Sequence, residues 1–121
     1  KFLILYKMGF KKDFDIHVRK GESQKIMRKY PGKVPVIVER QEHSDMPNID
    51  KKKCLVPGDL NMSHFIYVVR KRIKLEPSET LFLMVDNRMC PSNAPLSDIY
   101  ENYKDEDGFL YIVYSAENTF G

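Results

Sequence analysis

Residues 107–121 read DGFLYIVYSAENTFG, and the rest of the chain is organised around this stretch. Gly108 closes a turn after the acidic run 104–107, KDED. Residues 109–114, FLYIVY, are apolar, aromatic and β-branched, which is strand composition. Residues 115–119 are small or polar, and Phe120-Gly121 follow. A core strand that feeds a short polar tail ending in glycine places a bare carboxylate outside the fold. Glycine has no Cβ, so such a terminus enters a narrow channel in another enzyme. The pattern suits a C-terminus that is activated and transferred. The alternative is that the chain stops there without chemical meaning.

Working outward, 121 residues suit a single domain, the commonest domain size being about 100–150 residues. A chain of this size buries a core without disulfide or metal staples. Hydrophobic residues make up 42%, charged residues 31%, and the net charge is +3. Mild basicity points to acidic partners or anionic lipid and does not require nucleic acid. Cys54 and Cys90 are isolated, as expected in a reducing compartment. No run approaches the roughly 18 apolar residues of a membrane span. The patch 2–6, FLILY, is too short for a signal-peptide core. Any membrane attachment would therefore be acquired.

From the start, residues 1–7 (KFLILYK) precede Met8-Gly9, which reads as an initiator pair; the piece is an appended peptide or a native extension. Phe10, Phe14 and Val18 stand at i, i+4, i+8 and predict a short amphipathic helix, made basic by Lys11, Lys12, Arg19 and Lys20 and broken at Gly21. A second helix is expected over about 22–29, ended by Pro31-Gly32. Residues 33–39, KVPVIVE, predict a strand in which Pro35 donates no ladder hydrogen bond. Residues 40–48 are polar and predict a loop. A second strand is expected over 51–56, KKKCLV, and its lysines suggest a sheet edge. Asn61 is placed to cap a helix in which Met62, Phe65, Ile66, Val69 and Ile73 form the core face, with Arg70, Lys71 and Arg72 at the C-terminal end that favours cations. Residues 80–85, TLFLMV, predict a strand buried on both faces. Leu96, Ile99, Tyr100 and Tyr103 predict a last short helix before the final strand. The expected fold class is α+β: a four-stranded mixed sheet wrapped on one helix, of the β-grasp kind, preceded by two additional helices.

Catalytic constellations are weak. His17, His43 and His64 lie in separate segments, and none pairs with a cysteine at metal-ligand spacing, so no metal site is expected. The acidic run 105–107 lacks EF-hand spacing. There is no phosphate-cradling glycine loop and no G-x-S-x-G elbow. Cys54 lies in a predicted strand without an evident base, which reads as core or pocket wall. An enzyme and a cofactor are not expected. Binding signals are better: a lysine-rich edge strand followed by Leu55-Val56-Pro57 accepts an extended peptide by strand addition, with Lys51 and Lys53 attracting acidic flanks. A merely solvated, protective edge is the competing reading.

The segments KYPGKVPVIVER (29–40), Asp50-Lys51-Lys52-Lys53 with Leu55-Val56-Pro57-Gly58-Asp59, RKRIKL (70–75), KDEDGFLYIVYS (104–115) and the terminal TFG resemble the autophagy ubiquitin-like modifiers, which include the GABA-receptor-associated protein and the microtubule-associated light-chain modifiers. The resemblance runs from about Phe14 to Gly121. It implies an N-terminal helical subdomain over 8–32 and a ubiquitin-like domain over 33–121 that carries the glycine tail. It further implies that a processing cysteine protease exposes the terminal glycine. Activating and conjugating enzymes then pass it to phosphatidylethanolamine on autophagosomal membranes. Gly121 matches the conjugated glycine. Two acyl chains give durable anchoring where one would not. The modifier is then cytoplasmic until lipidated, and it recruits cargo receptors and adaptors through aromatic-x-x-aliphatic (LIR) peptides.

By the same resemblance, a first peptide pocket corresponds to Glu22, Ile26, Pro35, Leu55 and Phe109, with Lys53 at its rim. A second corresponds to Val56, Pro57, Leu60, Phe65 and Val68. Lys33 and Arg72 match basic positions near the groove, and Lys51 and Cys54 lie on the pairing strand. Phe82, Met84 and Phe120 correspond to contacts with processing and activating enzymes. Cys54 departs from a usual aromatic, as does Met84. Phe2-x-x-Leu5 fits the bound-peptide pattern, so residues 1–7 read either as pairing with the edge strand of a neighbouring copy or as docking on their own chain. Two other classes remain open: a β-grasp peptide-binding module that is never conjugated, and a basic microtubule- or nucleic-acid-binding domain using Lys11, Lys12, Arg19, Lys20, Arg28 and Lys29, of which the nucleic-acid role is not expected.

Overall fold

A computed structural model of the chain describes residues 9–116. Helix α1 spans Phe10–Asp13 and α2 spans Ile16–Lys29. They are followed by β1 (Lys33–Arg40), β2 (Lys53–Pro57), α3 (Met62–Arg72), β3 (Phe82–Met84), α4 (Leu96–Tyr103) and β4 (Leu110–Ser115). The four strands form one sheet in the order β2-β1-β4-β3. β1 pairs antiparallel with β2 and parallel with β4, and β3 pairs antiparallel with β4. This is the mixed four-stranded grasp that the strand and helix order predicts.

The stretch 107–121 supplies the sheet's second central strand. Alternation sends Leu110, Ile112 and Tyr114 to one face, where they meet Val34, Val36 and Val38 of β1. α3 closes this face with Phe65 and Val69, and α4 adds Leu96, Ile99 and Tyr100. Asn61 caps α3 as its position predicts: its Oδ1 accepts from the His64 N–H at 3.0 Å. The opposite face carries a much smaller apolar cluster of Phe10, Ile37 and Phe109, with Ile26 and Tyr111 packed against it. The Phe10 and Phe109 rings meet edge to face at 5.4 Å.

Pro35 stands in a central strand without loss of a rung. Val38 N–H donates to Lys52 O at 2.8 Å, so Val34, Val36 and Val38 are the residues bonded to β2, and the β4 ladder begins one residue after Pro35, at Val36↔Leu110.

Three expectations are corrected. The N-terminal helices break at Phe14, not at Gly21. Phe14 is extended, at φ −130 and ψ 133, and Gly21 lies inside α2. The Phe10-Phe14-Val18 stripe therefore runs across two helices, and Phe14 (45% exposed) and Val18 (52%) are not core. The face that α2 buries holds Arg19 and Ser23 instead. The TLFLMV strand is also shorter than predicted: only Phe82–Met84 is strand, at the sheet edge beside β4. Its residues Leu81, Leu83 and Val85 are nonetheless buried in the main core. Finally, β2 begins at Lys53, two residues later than its lysine run predicts. The loop between β1 and β2 is anchored by buried Met46 and Ile49, and by the Tyr114 hydroxyl donating to Pro47 O at 2.6 Å.

Candidate functional site

β2 is an outer strand, as its lysines predict. Because Lys52, Cys54 and Val56 bond to β1, the backbone N–H and C=O of Lys53 and Leu55 point to the outer edge. Beneath that edge lies a hollow of about 310 Å³, lined by Lys51, Lys53, Cys54, Leu55, Val56, Pro57, Leu60, Phe65, Val68 and Arg72. Every lining residue is among those singled out in the sequence. The fold brings them together because α3 sets Phe65, Val68 and Arg72 beside the residues of β2. Phe65 is buried and forms the floor, whereas Leu55 and Val68, each 39% exposed, form the lips.

The rim is positively charged. Arg72 Nη1 donates to Cys54 Sγ at 3.1 Å, and Arg72 Nη2 lies 3.5 Å from Asp50 Oδ1. Burial pushes the Cys54 thiol up, and the Arg72 guanidinium only partly offsets this. Cys54 thus forms part of the wall and accepts from Arg72. Lys53 forms an ion pair with Glu22, which ties β2 to α2 across the sheet edge.

A second hollow of about 450 Å³ runs along α2, lined by Val18, Gly21, Glu22, Lys25, Ile26, Lys29 and Tyr30. Of the first pocket expected from the sequence, only Glu22 and Ile26 line this hollow. Leu55 and Lys53 line the other one, and Phe109 (fully buried) and Pro35 (buried) line neither. Val18, Gly21, Lys25 and Tyr30 carry no site expectation in the sequence, which splits their helix at Gly21, and Lys29 enters there only through the basic-surface alternative. Lys33 opens β1 opposite Pro57.

On the far edge of the sheet Phe82 is half-buried, but Met84 is buried at 6% exposure, so only Phe82 offers apolar surface there. Phe120, Gly121 and residues 1–7 lie outside the described residues. Among the described residues no group of three metal-ligating side chains gathers, and no helix is long and apolar enough to cross a membrane.

The sequence reading missed the clamp that seats α2. Asp107, whose side chain is fully buried, accepts from Arg19 Nη1 at 2.7 Å and from the Tyr111 hydroxyl at 2.5 Å on one oxygen, and from Phe109 N–H at 2.8 Å on the other. Ser23 Oγ donates to the Asp107 carbonyl at 2.5 Å. Burial and the Asp107 carboxylate push the Tyr111 phenol far up, so it stays a donor. A second link joins Lys11 to Asp105 at 2.5 Å. Burial raises the Asp105 carboxyl, but hydrogen bonds from Lys11 and the Asp107 N–H outweigh it and hold the group below its ordinary value. No local pattern marks an ion pair between residues this far apart in the chain.

The profile of the family described as "Autophagy protein Atg8 ubiquitin like" matches residues 18–121. The chain belongs to the Atg8 family. Autophagy-related protein 8e of Arabidopsis thaliana is 56% identical over 112 residues, covering 93% of this chain and 92% of that protein. Autophagy-related protein 8 of Schizosaccharomyces pombe is 55% identical over 112 residues, covering 93% of each. The crystal structure of Trypanosoma brucei ATG8 superposes with a TM-score of 0.87 at 40% identity, covering 94% of this chain and 98% of that one. The ubiquitin-like α+β fold is therefore shared with a solved Atg8, and the chain is a ubiquitin-like autophagy protein.

Proposed function

We propose that this Atg8-family chain is a modifier whose Gly121 carboxyl is joined to phosphatidylethanolamine, and that it recruits receptors by binding aromatic-x-x-aliphatic peptides along β2. The observation that carries the peptide reading is the hollow of about 310 Å³ directly below the outward-facing backbone of Lys53 and Leu55. An extended peptide would pair with that edge and drop an aliphatic side chain between Leu55, Leu60, Phe65 and Val68. Its aromatic side chain would seat beside Glu22 and Ile26. Lys51, Lys53 and Arg72 favour acidic residues on the peptide.

The partners on this reading are cargo receptors and adaptors, a processing cysteine protease, and activating and conjugating enzymes. The protein divides between the cytoplasm and the autophagosomal membrane. The motif Phe2-x-x-Leu5 would occupy the same edge on a neighbouring copy. The conjugation half is tested by incubating the chain with the family's activating and conjugating enzymes, ATP and phosphatidylethanolamine liposomes beside a Gly121-deleted control. A lipid adduct on the intact chain only supports the reading, and no adduct with enzymes proven on a known modifier rejects it. The peptide half is tested by calorimetric titration with an aromatic-x-x-aliphatic peptide and its double-alanine variant; equal heats would reject it.

A further inference from the structure

We propose that Asp50 sets how strongly the hollow at β2 favours acidic peptides, by holding Arg72 until a peptide carboxylate takes its place. The inference rests on the reading that this hollow receives a peptide along β2. Arg72 lines the hollow, but its guanidinium is already engaged on two sides. Nη1 donates to Cys54 Sγ at 3.1 Å, and Nη2 lies 3.5 Å from Asp50 Oδ1. The two partners differ in kind. A thiol is a weak acceptor and leaves the charge on Arg72 unneutralised, whereas the carboxylate neutralises it. Asp50 is also aimed, because the same Oδ1 accepts from the Lys51 N–H at 2.8 Å, at the entry to β2. The pair is nevertheless exchangeable. The Asp50 side chain is 71% exposed and that of Arg72 29%, and ion pairs this open to water contribute little to stability. The buried Arg19–Asp107 pair, at 10% and 0%, has no such freedom. When a peptide carboxylate displaces Asp50, the Cys54 contact still keeps the guanidinium at the hollow. A neutral peptide leaves the Asp50 pair intact, so it meets no unpaired cation there. An acidic peptide must exchange one carboxylate for another, and gains less than a free Arg72 would offer. Asp50 thus acts through Arg72 as a positioning residue that tempers charge selection.

The test uses calorimetric titration with peptides of the aromatic-x-x-aliphatic pattern. Each carries a single Glu, or Gln in its place, at one of the two intervening positions or just after the aliphatic residue. The quantity read is the Glu-over-Gln affinity ratio within one variant, which a general loss of fold does not produce. Asp50→Asn keeps an oxygen for the Lys51 N–H but removes the charge. In the register that faces Arg72 it should raise the ratio by about two- to fivefold, the scale of a partly exposed ion pair. In an Arg72→Gln background the same Asp50→Asn change should leave the ratio unmoved, because the two residues form one coupled unit. Asp45→Asn supplies the control for net charge. Asp45 is an exposed acid of the same loop and makes no ion pair among the described residues, so the ratio should stay at the parent value. Where Arg72→Gln binds too weakly to measure, the comparison of Asp50→Asn with Asp45→Asn decides alone. An unchanged ratio in Asp50→Asn at every register, with the peptides binding, overturns this inference alone. So does an equal rise in Asp45→Asn, or a rise that persists in Arg72→Gln, since either assigns the effect to the overall field of the surface. Failure of the unaltered chain to bind any of the peptides overturns the proposed function, and this inference with it.

Discussion

The Arg72 guanidinium donates to the Cys54 thiol across 3.1 Å, joining the last turn of α3 to the outermost strand at the wall of the hollow. Because burial raises that thiol, its thiolate fraction at neutral pH is below that of a free cysteine, whose pKa is about 8.5. Iodoacetamide labelling followed by mass spectrometry should therefore show Cys54 reacting several-fold more slowly than a free thiol at pH 8, with the gap closing as pH rises. Equal rates at pH 8 would contradict the assignment.

Arg19 and Asp107 form a buried pair, and removing one partner leaves the other charge uncompensated. Asp107→Ala should destabilise the fold by about 3–5 kcal/mol in urea unfolding, the range for broken buried pairs. A loss below about 1 kcal/mol would mean that Arg19 swings out to water, as a surface pair would allow.

Phe65 and Val68 face the same hollow from one helix but differ in burial, at 1% and 39% exposed. Phe65→Ala should cost about 3–5 kcal/mol of stability. Val68→Ala should stay within about 0.5 kcal/mol of the parent while weakening the aliphatic-anchored peptide. Paired thermal melts and calorimetric titrations separate the two effects. A stability loss in Val68→Ala matching that of Phe65→Ala would show that the lip is core.

Asp105 is held below its ordinary carboxylate value when folded. A group depressed in this way stabilises the fold above its unfolded pKa, near 3.9 for aspartate, and the contribution is lost as pH falls through the folded value. Melting temperatures of Asp105→Asn and the parent should therefore differ at pH 6 and draw together as pH falls below the unfolded carboxylate value of about 3.9. Curves that remain parallel down to acid pH would remove the Lys11–Asp105 link from the account.

Much of this was legible in the chain, and the reasons differ by element. α3 could be read because its cap and its apolar stripe are local signals that agree. β2 could be read as an edge from its lysines, and the residues lining the hollow below it from the resemblance. α2 was misread because Gly21 looks like a helix breaker, yet it faces open space, where glycine costs only about 1 kcal/mol. Hydrogen bonds on the other side of the helix, through Arg19 and Ser23, outweigh that penalty. The apolar run 80–85 overstates the length of β3 because its flanks, Leu81 and Val85, are buried in the core without extending the strand. The clamp on Asp107 left no trace in sequence because it depends on which loop meets which helix in three dimensions.

The parallel pairing of β1 with β4 has a consequence for synthesis. Val36 is paired with Leu110, so the strand made first at the middle of the sheet waits for the strand made last. Contacts of such long separation must pay for loop closure before they stabilise anything, which slows folding. Until β4 emerges, β1 and β2 lack the central strand on which β1 pairs, and a two-stranded hairpin has little stability of its own in water. The sheet thus closes only once β4 has been made, however early its partner strand emerged.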